Sequence, residues 1–139
     1  IFNFLVGLIT FLIVLWWAFG GDASEGTAFN AAGTMLFSFT YLWIGANAIR
    51  GVDDQRSFGW YCGFVAVTAL PTAYLVFLTG DVGLTGLWLL WAVLWAAFFV
   101  LLALERDDLT KPVGTFTAIT GAVTAIGGYL MAAGFWPWA

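Results

Sequence analysis

Histidine is absent from these 139 residues, cysteine occurs once, and only four lysines and arginines stand beside eight aspartates and glutamates. Each shortage closes off a class of chemistry. Without an imidazole, the chain lacks the side chain whose ordinary pKa falls between about pH 5 and 8. A single cysteine, Cys62, excludes an intramolecular disulfide and a thiolate-rich metal site. Every carboxylate falls in a break between apolar runs, so no nucleophile–base pair or metal cluster is assembled, and the chain reads as a non-enzyme without cofactor. Four scattered basic residues make no patch for nucleic-acid phosphate.

Apolar sequence fills the space that charge leaves. Hydrophobic residues make up 63% of the chain and charged residues 9%, a balance that a water-soluble domain of this length has no core large enough to hide. The composition is that of an integral membrane protein. Four breaks, "GGDASEG" (20–26), "RGVDDQR" (50–56), "TGDVG" (79–83) and "ERDDLTK" (105–111), separate five apolar segments of about 20 residues, each long enough to cross a bilayer. The expected fold is therefore an all-α membrane protein, a single integral domain over 1–139 with helices near 1–19, 27–49, 57–79, 82–104 and 112–135. The first segment, "IFNFLVGLITFLIVLWWAF", is uncharged and lacks the basic start of a signal peptide, so it reads as a membrane helix that continues from sequence upstream. Asp22 with Glu25 three residues on resembles a capping pair, Ser57 and Asp81 are placed to cap the helices that follow, and Pro112 suits a first turn.

All four basic residues, Arg50, Arg56, Arg106 and Lys111, lie in the second and fourth breaks, whereas the first and third carry Asp22, Glu25 and Asp81. The positive-inside rule then places the second and fourth loops in the cytoplasm, the visible N-terminus inside and the C-terminus outside.

Tryptophan is the residue whose placement needs an explanation, because its indole N–H favours the headgroup level. Trp16, Trp17, Trp136 and Trp138 end their helices at one interface and Trp60 opens a helix at the other, as an aromatic belt requires. Trp88, Trp91 and Trp95 lie deep inside their segment, at i, i+3 and i+7 on one helix face, with Leu84 extending the stripe. Phe39 and Trp43, at i and i+4, form a second aromatic edge. Two readings fit both stripes: bulk packing between helices, or the wall of a conduit. The polar groups at similar depth are neutral, namely Ser38, Thr40, Thr68, Thr72, Thr120 and Thr124. Each either bonds its own helix backbone or belongs to a route for an uncharged polar solute. Asn47 is placed for an interfacial cap or a gate. Gly59 and Gly63 form a G-x-x-x-G pair, Gly121, Ala125 and Gly128 a looser small-residue face, and Pro71 is expected to kink its helix.

In order along the chain, "FTYLW" (39–43) with "AN" (46–47), "WYCGFVA" (60–66) with Pro71 five residues on, W-x-x-W-x-V-L-W (88–95) and "VGTFT" (113–117) resemble the AmiS/UreI family of bacterial urea and short-chain amide channels. The resemblance implies a six-helix protomer whose first helix is not in this chain, and a homohexamer in the bacterial inner membrane with membrane lipid plugging its centre. It implies that each protomer conducts passively through an aromatic slot, matched here by Phe39, Trp43, Trp88, Trp91, Leu94 and Trp95. Thr124 stands where some members carry a glutamate. The implied solutes are urea or short-chain amides, and the implied functional partner is a cytoplasmic urease or amidase. Acid gating in some members rests on outer-loop histidines, so no opening by histidine protonation is expected here. The competing reading is a non-transporting membrane subunit or sensor whose aromatic stripes serve only helix packing.

Overall fold

The structure is a computed structural model that describes residues 1–21 and 23–138. Among these residues five α-helices follow one another: α1 (Phe2–Phe19), α2 (Glu25–Arg50), α3 (Arg56–Leu78), α4 (Val82–Phe98) and α5 (Thr110–Ala132). A π-helical turn, Phe99–Ala103, extends α4, and a 3-10 turn, Asp107–Leu109, leads into α5. There is no strand among the described residues, and the protein is an all-α membrane protein. Among the described residues four helical segments, Phe2–Phe19, Arg56–Leu78, Val82–Ala103 and Asp107–Ala132, are long and apolar enough to cross a membrane. With 26 residues, or about 39 Å at the standard rise, α2 has the length but is more polar, carrying Thr27, Asn30, Thr34, Ser38, Thr40 and Asn47. Contacts divide the chain into two compact units, Ile1–Phe58 and Gly59–Ala139.

The first unit is an antiparallel hairpin of α1 and α2. Helix α1 carries no charge and leaves Leu5, Leu8, Ile9, Leu12 and Ile13 exposed, a surface suited to hydrocarbon. Between two such helices lipid offers no hydrophobic drive, so the helices gain by close approach and by hydrogen bonds. Glycine provides the approach at two levels. A Cβ on Gly45 would lie 2.5 Å from the backbone N of Phe4, and one on Gly7 would lie 2.6 Å from that of Leu42. The buried Ser38 hydroxyl spans the same seam, donating to the Gly7 carbonyl at 2.9 Å.

Capping sets the ends of α2. Ser24 and Thr27 close a capping box, with Thr27 N–H donating to Ser24 Oγ at 3.2 Å and Ser24 N–H to Thr27 Oγ1 at 2.7 Å. The proposed partner of Glu25 in this role, Asp22, lies outside the described residues. At the other end Gly51 takes a left-handed φ of 65° and donates its N–H to the Asn47 carbonyl. The Asn47 side chain donates to Gln55 Oε1 at 2.9 Å, so it anchors the loop that follows.

The cap of α3 is Asp54 rather than Ser57, which falls inside the first turn. Asp54 Oδ1 accepts the Arg56 backbone N–H at 3.0 Å while its carboxylate takes the Arg56 guanidinium at 2.7 Å. A carboxylate that receives both donors outcompetes a lone hydroxyl. From there α3 runs on through Pro71, whose ring lies on an exposed face.

Within the second unit, the G-x-x-x-G pair of α3 seats against the π-helical turn. A Cβ on Gly59 would meet the Ala103 backbone N at 2.4 Å, and one on Gly63 would meet the Phe99 ring at 2.8 Å. Trp60 closes the contact edge-on to Phe99 at 5.0 Å. The small-residue face expected on α5 does not form this way: Gly121, Ala125 and Gly128 are exposed, and a Cβ on either glycine meets nothing within 4 Å. Gly127 is instead the buried glycine, with Leu87 of α4 3.3 Å from where its Cβ would be. Helix rotation decides this, and a loose spacing of small residues does not specify it.

Two outcomes test these seams. Gly45→Leu in the full-length protein should lower the thermal midpoint in detergent by an amount equivalent to about 1–3 kcal/mol, as overpacking costs, and Ser38→Ala by about 1 kcal/mol or less. An unchanged midpoint for Gly45→Leu would remove the close approach. For the α3 cap, the Arg56 side chain and then its backbone N–H hold the Asp54 carboxyl down from 3.8 to about 2. Because the folded value is depressed, the cap's contribution is complete above 3.8 and fades as pH falls through about 2. A carboxyl-carbon NMR titration should therefore show Asp54 still ionised at about pH 3, and a midpoint near 3.8 would contradict the contact.

Candidate functional site

Each aromatic stripe belongs to one of the two units. On α2, Phe39 and Trp43 lie one turn apart and are 42% and 37% exposed within this chain. Phe39 stacks on Phe11 at 6.1 Å and 29°, and Trp43 tilts against Phe58 at 6.2 Å. These contacts leave the two side chains as a partly supported aromatic edge. Between them, Thr40 turns its hydroxyl back to the Leu36 carbonyl at 2.7 Å.

On α4, Trp88 and Trp95 are 7% and 4% exposed, while Trp91 and Leu94 are half-buried. Trp91 meets Trp88 edge-on at 5.2 Å and 82°. Its indole Nε1–H donates to Thr124 Oγ1 on α5 at 2.9 Å. The stripe read from sequence spacing thus brings together Trp88, Trp91 and Thr124, with Trp95 buried one turn beyond. Thr124 gains a partner 33 residues away, which no periodicity in the sequence signals.

Most other hydroxyls at this depth are satisfied locally. Thr68 donates to the Phe64 and Val65 carbonyls, Thr72 to Thr68 and Thr117 to Val113. Ser38 crosses to Gly7, as described. Thr120 alone among the described residues has a buried side-chain oxygen without a hydrogen-bond partner.

A further polar contact joins the ends of the second unit. Asp81 caps α4 through Oδ1, which accepts Leu84 N–H at 2.7 Å, and its carboxylate also accepts the Trp136 indole N–H at 2.9 Å. Trp136 is therefore more than a belt residue: it stacks edge-on against Trp138 at 5.0 Å and fixes the segment after α5 to the start of α4. Gly83 makes room for both rings, since a Cβ there would lie 2.6 Å from Trp136. Beneath them runs an apolar groove of about 280 Å³ between Leu87 and Leu90 of α4 and Val123 and Gly127 of α5. No local pattern in the sequence signals this pair, because its members are 55 residues apart.

Apolar membrane-length helices, carrying neutral aromatic and hydroxyl groups in their spans and charge at their ends, define a multi-pass membrane protein. The sequence profile of the AmiS/UreI family of transporters matches residues 1–135, and the chain belongs to that family. It is 40% identical over 119 residues to a Mycolicibacterium smegmatis protein named for the transport of amidate substrates, covering 84% of this chain and 54% of that one. It is 34% identical over 116 residues to the acid-activated urea channel of Helicobacter pylori (strain 26695), covering 71% of this chain and 56% of that one. The chain spans about half the length of the curated relatives it matches. No solved structure is matched significantly. The family is one of transporters and not of enzymes.

The Asp81–Trp136 contact is open to a double-mutant cycle. Trp136→Phe keeps an aromatic ring but removes the donor together with the pyrrole half of the indole, and Asp81→Ala removes the acceptor and the cap. In thermal denaturation of the full-length protein, Trp136→Phe should cost about 1 kcal/mol and Asp81→Ala more. The double variant should fall short of the sum, and strict additivity would show the two groups uncoupled.

Proposed function

We propose that the protein is a passive channel for urea or small aliphatic amides. The observation that carries this reading is the Trp91–Thr124 hydrogen bond, an indole and a hydroxyl paired in spans whose middle has no charged side chain. Such a wall suits a flat, polar, uncharged solute. Aromatic faces contact the plane of an amide, and neutral donors and acceptors replace part of its hydration at its edges. An ion entering the same surroundings loses its water with no opposite charge in return, a penalty of at least several kcal/mol. Width and desolvation then supply selectivity without coupling to an ion. Membership of the family and the names of its amidate and urea relatives support the same substrate class.

The residues assigned to the lining are Phe39 and Trp43 on α2 and Trp88, Trp91, Leu94 and Trp95 on α4, with Thr124 holding Trp91. The protein is assigned to the bacterial inner membrane as a homohexamer around a lipid plug. Arg50, Arg56, Arg106 and Lys111 set the cytoplasmic side, so Ile1 lies inside and the C-terminal tryptophans outside. A cytoplasmic urease or amidase that consumes the solute would keep the gradient inward. One observation favours the packing-only alternative, in which the protein is a non-transporting subunit: Trp88 and Trp95 are almost fully buried within the single chain.

Liposomes containing the full-length protein decide between the two. Urea- and acetamide-driven volume recovery should be faster than in protein-free liposomes, with no accompanying sodium conductance. Trp91→Ala and Trp95→Ala should each change the rate by about fivefold, the scale of one lost aromatic contact. Equal rates with and without protein would end the channel reading. Altered assembly of the variants without any flux would favour the packing role.

A further inference from the structure

Where Asp81 and Trp136 meet, the second unit holds a carboxylate without a cation. Asp81 caps α4 and accepts the Trp136 indole, but both donors are uncharged, and among the described residues it makes no ion pair. Arg106 and Lys111, the basic residues of this unit, lie at the opposite ends of α4 and α5. Neither the turn 79–83 nor residues 133–138 carries a lysine or arginine. The Asp81 side chain is half-buried, hence reachable, and a carboxylate has more lone-pair sites than these contacts fill.

The groove under Trp136 and Trp138 starts at Gly83, two residues from this carboxylate. Its α4 wall runs from Gly83 through Gly86 and Leu87 to Leu90, and its α5 wall from Leu130 back to Val123, each on the spacing of one helix face. Only glycine, aliphatic and tryptophan side chains line it. A Cβ on Gly86 would meet nothing within 4 Å, so the groove is open space there. Each wall advances about 10 Å along its helix, within the hydrocarbon depth of one leaflet, about 15 Å. The two indoles mark its upper end as the headgroup level.

An apolar slot of leaflet depth, headed by indoles and an uncompensated carboxylate, matches a lipid with a cationic head. A second copy in the same membrane orientation brings no cation to this end, because breaks 20–26 and 79–83 hold Asp22, Glu25 and Asp81 alone. An anionic headgroup meets like charge at Asp81. We propose that the groove between α4 and α5 holds an acyl chain of a phospholipid with a primary-amine headgroup, whose ammonium pairs with the Asp81 carboxylate beside the Trp136 indole. The site is independent of whether the protein conducts.

Native mass spectrometry of the full-length protein tests it, after detergent exchange into equal amounts of dioleoyl phosphatidylethanolamine, phosphatidylcholine and phosphatidylglycerol. Wild type should retain the ethanolamine lipid in preference to the other two. Asp81→Asn keeps a cap and an acceptor for Trp136 but removes the charge, and should lower the ethanolamine-to-choline ratio by about fivefold, the scale of one charge near a membrane surface. Asp81→Ser gives the same comparison should the asparagine variant fail to assemble. Gly86→Leu fills the groove with Asp81 intact, and should reduce retention of the ethanolamine lipid while the oligomeric mass stays that of wild type. Equal retention of the ethanolamine and choline lipids by wild type, or a ratio that Asp81→Asn and Asp81→Ser leave unchanged, overturns the headgroup pairing. Retention untouched by Gly86→Leu overturns the groove as the site, and a lowered oligomeric mass in that variant overturns it in favour of a protein surface seated there.

Discussion

Hydrocarbon accepts no hydrogen bonds, and this molecule is arranged around that constraint. A polar group in a membrane span has to find its partner within the protein. Thr68, Thr72 and Thr117 find it in their own helices, Ser38 in the Gly7 carbonyl, and Trp91 in Thr124. Charge is confined to helix ends, where it caps or pairs. Asp81 serves the start of α4, Asp54 the start of α3, and Arg106 lies 2.9 Å from Asp108 ahead of α5. The two arginine–aspartate pairs are exposed and contribute little stability, but each keeps charge of both signs at the end of a span.

The second constraint is that apolar side chains gain nothing by leaving one apolar medium for another. Helices must then hold together by contact at short range. Gly7 and Gly45 bring α1 and α2 together at the backbone, and Gly59 does the same for α3 against the π-helical turn. That turn widens the end of α4, with Arg106 N–H returning to the Leu101 carbonyl at 3.1 Å, a bond over five residues instead of four. Aromatic rings then fill what glycine leaves open, as Phe99 does beside Gly63 and Trp60.

Site residues divide by how they could be known. Trp88, Trp91 and Trp95 were legible as one stripe, since spacing alone puts them on a shared helix face. Their contacts were not. Trp91 needed α5 to bring up Thr124, and Asp81 needed the turn after α5 to bring up Trp136; both depend on a register between distant segments. The roles of Thr68 and Thr72 were open in the sequence between back-bonding and a solute route, and local geometry resolved them to the former. Thr120 also lies within a helix, yet its hydroxyl remains unmet.

Sequence by itself determined that the chain lives in a membrane, that its helices lie between four polar breaks, and that its mid-span polar groups are neutral. These follow from composition and from the length a helix needs to cross hydrocarbon, which are properties of the chain read in one dimension. Tertiary structure decided which glycines let backbones touch, why Gly127 is buried while Gly121 and Gly128 are open, and which hydroxyls are used up. Each of those depends on the rotation of one helix against another. In an apolar medium that rotation is fixed by small differences in steric fit and by single hydrogen bonds, and no local pattern of residues encodes it.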